Sequence, residues 1–122
     1  MKKFLILIFF FFSFNSVFAD KETTFTNEIF QSAQSMGKIV VINSWNKTCS
    51  TCAKQVKILD QAKKDFKNIL FLSFEQTKDK AVAKKFSIDY WTTIIAYKNN
   101  KEIYRSIGQT DKAEIYSKIK AL

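Results

Sequence analysis

Hydrophobic and polar positions alternate along this chain in blocks that change period several times. After the first two dozen residues, Ile29, Phe30 and Ala33 recur at helical spacing over Asn27–Met36, with Thr26 placed to cap the start and Gly37 to stop it. An unbroken apolar run, Ile39 to Ile42, then predicts a buried strand over Lys38–Ser44. Helical periodicity returns over Ser50–Lys67, where Cys52, Val56, Leu59 and Phe66 share a face and Lys54, Lys57 and Lys64 point to water. Ile69–Phe74 is a second apolar run of strand length. Two such runs joined by a helix predict a parallel βαβ crossover. Lys78–Phe86 reads as a short helix with Ala81, Val82 and Phe86 inward. Thr93–Lys98 and Glu102–Ser106 form a hairpin, because the Asn99-Asn100 pair between them tolerates left-handed backbone. The last helix starts after Thr110, with Asp111 and Glu114 in its first turn and Ile115, Ile119 and Leu122 inward. The order α-β-α-β-α-β-β-α predicts an α/β fold, a mixed sheet of about four strands with helices on both faces.

Residues 1–19 follow a different pattern: a basic start (Met1-Lys2-Lys3), an apolar core over Phe4–Phe12, and a small-x-small site at Val17-Phe18-Ala19. That is the layout of a secretory signal, with an apolar stretch too short for a comfortable membrane span. Cleavage after Ala19 leaves residues 20–122 as one small domain with a single core. A membrane association is expected only if the signal stays uncleaved. The basic n-region and the small size point to a bacterial envelope protein, periplasmic or secreted.

Charge adds little. The 20 basic residues exceed the 11 acidic ones, but the lysines lie scattered among acids and without an aromatic platform, so a solvated surface is expected and no nucleic-acid partner. An oxidising compartment agrees with the cysteine count, because the only two cysteines, Cys49 and Cys52, can persist there as a disulfide. Asn46-Lys47-Thr48 matches a glycosylation acceptor, but a glycan beside the cysteines would obstruct them, and the match is read as chance.

The chemistry sits where the first strand gives way to the second helix. Cys49 on the first turn meets unpaired backbone N–H groups and the positive end of the helix dipole, which favour a thiolate. Cys52, three residues on, lies on the same face. Thr48 is placed to cap this helix, the Ser50 and Thr51 hydroxyls to bond a nearby thiolate, and Lys47 adds positive charge. With no histidine anywhere, no imidazole assists. A structural disulfide and a thiolate metal site completed by a second copy are the competing readings of the pair.

Strand, Trp45, Cys-x-x-Cys and helix, followed by TTIIAYKNNKE and by Gly108 ahead of the last helix, resemble the thioredoxin-like family. The resemblance implies a thioredoxin fold and thiol-disulfide exchange with protein thiols and disulfides of the envelope and with a redox partner, without a cofactor or metal. It makes Cys49 the nucleophile and Cys52 the resolving residue of a redox disulfide. Trp91, Thr92 and Thr93 become substrate-binding positions, the two threonines through their backbone groups, while Asn43, Trp45, Lys47, Thr48, Ser50 and Thr51 surround the pair. The alternative is a thioredoxin-fold binding module without turnover. Departures from the family pattern feed that alternative. Thr92 stands where the family has a cis-proline, and since a cis bond before a non-proline costs about 3 kcal/mol, a trans Trp91–Thr92 bond is expected. Asn43 and Ser73 stand where the family has a buried acid and an accompanying lysine, so both charges have gone together. Asn43 cannot act as a base.

Overall fold

The computed structural model describes residues 24–122; the signal reading of residues 1–19 lies outside them. Four helices and four strands follow in the expected order: α1 (Asn27–Ser35), β1 (Ile39–Trp45), α2 (Ser50–Asp65), β2 (Ile69–Glu75), α3 (Lys80–Lys85), β3 (Thr93–Lys98), β4 (Lys101–Ile107) and α4 (Lys112–Lys120). The strands lie in the order β2-β1-β3-β4. β1 runs parallel to β2 and antiparallel to β3, and β3 pairs antiparallel with β4.

β1 is apolar without alternation because both of its faces are covered. Val40 and Ile42 face α1 and α3, packing with Phe25, Phe30, Val82 and Phe86. Val41 faces α2 and α4, packing with Leu59, Ala62, Ile115 and Ile119. On the first side Phe25, Phe30, Phe86 and Tyr97 form an aromatic cluster with ring centroids 5.2 to 5.7 Å apart, mostly edge to face.

The caps explain where the helices begin. Thr26, Asp79 and Asp111 each accept a hydrogen bond from the backbone N–H three residues on. Asp79 as cap starts α3 two residues later than expected; Val82 and Phe86 are inward as expected, while Ala81 is exposed and Ala83 is buried instead. The hairpin turn is as read: Asn99 and Asn100 have φ of 52° and 60°, the left-handed pair of a tight two-residue turn, so β4 starts at once at Lys101.

The β3–β4 ladder has one irregularity. Ala96 pairs with Tyr104 and Tyr97 with Glu102, so Ile103 is an extra residue bulged out of β4. The bulge brings Glu102 and Arg105 to one face, where Arg105 Nε and Nη2 donate to the two Glu102 carboxylate oxygens at 2.7 and 2.9 Å. Arg105 also donates to the carbonyls of Phe86 and Ser87, tying the strand to the end of α3. At the opposite edge Thr24 bridges to Ser73, and Phe25 N donates to Ser73 O at 2.8 Å.

Candidate active site

β1 ends at Trp45, and the chain must turn before α2 can start. Asn46 makes that turn. Its side-chain Oδ1 accepts from Thr48 N at 3.0 Å and Thr48 Oγ1 at 2.6 Å, its Nδ2 donates to Thr77 Oγ1, and its carbonyl accepts from Cys49 N. Asn46 is buried with its amide engaged, which removes it as a glycan acceptor.

Because the Thr48 hydroxyl is spent on Asn46, Thr48 does not cap α2, contrary to expectation. Cys49 does: it has extended backbone, and its Sγ accepts from Cys52 N at 3.1 Å. Cys49 therefore stands one step before the first turn rather than in it, with its sulfur aimed at the free N–H groups of the helix start. Cys49 is half-buried, Cys52 is 1% exposed, and the two form a disulfide with Cα atoms 5.2 Å apart. Lys47, Ser50 and Thr51 are exposed around it. Neither the Ser50 nor the Thr51 hydroxyl bonds a sulfur among the described residues.

The hydroxyl that reaches the sulfurs is that of Thr92. Its Oγ1 lies 3.2 Å from Cys52 Sγ and 3.6 Å from Cys49 Sγ. The Trp91–Thr92 bond is trans, as expected, and Thr92 has φ 59°, a left-handed conformation unusual for a β-branched residue. Three hydrogen bonds hold it there: Thr92 N donates to Ser44 O, and Thr92 O accepts from Gly108 N and from Gln55 Nε2. Its backbone groups are thus taken up inside the protein, and the side chain faces the disulfide. Thr93 is buried, and its hydroxyl donates to Tyr90 O at 2.6 Å.

Gln55 was not singled out from the sequence. It is fully buried on the same stripe of α2 as Cys52, and its Nε2 donates both to Thr92 O at 3.2 Å and to Gln109 O at 2.8 Å. The signal was legible: a glutamine three residues after Cys52 and four before Leu59 lies on a sheet-facing stripe, where a buried amide must find partners.

Two concave regions flank the pair. A groove of about 420 Å³ in front is lined by Cys49, Thr51, Tyr90, Trp91, Thr92 and Ile107. Trp91 is 43% exposed there, an apolar wall beside the half-buried sulfur. Behind the pair lie Asn43 and Trp45, on the other side of α2. Asn43 is 5% exposed and is the register partner of Ser73 on β2.

Chemically, this is a disulfide with one sulfur open to an incoming thiolate, one sealed, and a hydroxyl donor beside both. The thioredoxin family model matches residues 16–121. A thioredoxin H-type from Fagopyrum esculentum is 27% identical over 93 residues, spanning 76% of this chain and 79% of its own. Among solved structures, Trxlp from Edwardsiella tarda superposes with a TM-score of 0.73 at 23% identity, covering 77% of this chain and 93% of that one. Fasciola hepatica thioredoxin gives 0.70 at 17% identity, covering 77% and 90%. With the Cys-x-x-Cys pair at bonding distance at a helix start and this match over most of its length, the chain is a thiol-disulfide oxidoreductase belonging to the thioredoxin family.

Proposed function

We propose that this oxidoreductase is exported and exchanges disulfides with cysteines of other envelope proteins. The export half rests on the layout of residues 1–19, and the client half on the apolar groove with Trp91 and Tyr90 exposed beside Cys49.

In the reducing direction the Cys49 thiolate, held by the N–H groups at the start of α2, attacks a client disulfide. A mixed disulfide forms, and one client sulfur leaves as thiolate. Cys52 then attacks Cys49 Sγ, the intramolecular disulfide closes, and the second client sulfur leaves. The client gains two electrons and the pair loses two. Run backwards, the same steps oxidise a client dithiol. The second step needs Cys52 as a thiolate in a sealed position, and Asn43 cannot take its proton. The Thr92 hydroxyl, 3.2 Å away, donates a hydrogen bond that stabilises that thiolate. This contact is the observation that carries the catalytic reading, because it lowers the cost of the Cys52 thiolate, whose proton passes to the departing client thiolate.

The test is a trap in cells producing the full chain. A Cys52→Ser variant leaves the mixed disulfide unresolved, so client proteins should be recovered bound through Cys49, and the Cys49→Ser variant should recover none. Clients confined to the cytoplasm would sink the export reading. Failure of the purified wild type to exchange with dithiothreitol or glutathione would sink the exchange reading.

A further inference from the structure

Behind Cys52, α2 does not close onto the sheet. One residue pair back along the strands, Val41 and Phe71 fill the space beneath the helix; at the next pair on that face, Asn43 and Ser73 are short. A cavity of about 410 Å³ results, sharing only Cys49 with the groove in front. Its walls are apolar, with Val56 and Leu59 from the helix and the aromatic rings of Trp45 and Phe71 from the strands. Its floor is Asn43, whose Nδ2 is buried without a hydrogen-bond partner. Such a donor is unusual in a folded protein and calls for an acceptor. A single water, with about 30 Å³ of liquid volume, would answer Asn43 and leave most of the space. Lys47 and Lys63 also line the cavity and outnumber its one carboxylate, Asp60.

We propose that this cavity binds a small aryl carboxylate. An oxygen acceptor at its buried end takes the Asn43 N–H, a flat aromatic body lies against Trp45 and Phe71, and the negative charge turns toward the lysines. The volume is at the lower end of small-ligand sites, which run from about 300 to 1,000 Å³. The proposal does not rest on the exchange reading, because neither Asn43 nor the apolar walls take part in sulfur chemistry. It adds a ligand that touches Cys52 from the side opposite the client groove.

The test uses the oxidised full chain carrying Trp91→Phe, which leaves Trp45, in the cavity wall, as the only tryptophan. Titration with 6-hydroxy-2-naphthoate should quench its fluorescence saturably. 2-Naphthoate, lacking the buried-end oxygen, should bind roughly five-fold more weakly, the size of one hydrogen bond. 2-Naphthol, lacking the charge, should bind more weakly and lose the salt dependence. Asn43→Leu removes the donor and fills the floor. Because a core change can cost the fold, Val56→Phe fills the same space from the half-buried helix side without adding a tryptophan; both should abolish binding. No saturable quenching, equal binding of the three probes, or binding that folded Asn43→Leu or Val56→Phe protein retains would each overturn the proposal.

Discussion

Thr92 shows how much a single side chain can alter a site whose outline the sequence already gives. Its position opposite the cysteines and its trans bond follow from the chain; the aim of its hydroxyl does not, because that depends on a left-handed φ and on a glutamine from another element. Thr92→Val keeps the shape and removes the donor. The resolving step should slow by about ten-fold at neutral pH, the scale of a hydrogen bond to a charged group, and its pH profile should move to higher pH as the Cys52 thiolate loses support. Thr92→Ser should restore both. Stopped-flow exchange with a model disulfide checks this, and a Thr92→Val profile superposable on wild type would show that the hydroxyl only packs. Thr48 teaches the complementary lesson. It has the right residue type at a capping position, yet Asn46 two residues earlier competes for its hydroxyl, and the cap passes to Cys49.

Several elements were legible because local signals mark their ends: caps at Thr26 and Asp111, a stop at Gly37, and an Asn-Asn turn between β3 and β4. What stayed hidden were features set by neighbouring elements, such as the start of α3, the Gln55 bridge and the bulge at Ile103. The Glu102–Arg105 pair depends on that bulge and gives a pH signature. The hydrogen bonds from Arg105, more than any other influence, hold the Glu102 carboxyl below the usual carboxylate range, against the opposing pull of burial. A lowered value in the folded state means that stability is present above the unfolded value near ~4.3 and is lost as pH falls through the folded one. Glu102→Gln should therefore cost about 1 kcal/mol at neutral pH, with the deficit shrinking to nothing in strong acid, as followed by urea unfolding across pH. At the other end of the scale, partial burial and the hydrogen bond to Asp65 push the Tyr116 phenol up to about 12. Because the folded state favours the protonated phenol, that contribution is present below about 10 and fades as pH rises toward 12.

At the scale of the whole molecule, the fold places Cys49 between two concave surfaces, the Trp91 groove in front and the Asn43 cavity behind. The sheet also has two outer margins, and they are finished differently. The segment at Thr24 and Phe25 lies against β2, whereas among the described residues β4 pairs with no strand on its outer side and carries a bulge at Ile103 and a lysine at the turn. An interrupted row of outward amides gives a second copy no continuous seam to zip onto, one of the ways in which edge strands avoid templating their own kind. A chain shortened by Ile103 would straighten that row; light scattering should then rise with time in concentrated solution while the natural chain stays clear, so one surplus residue acts as a guard against fibre growth.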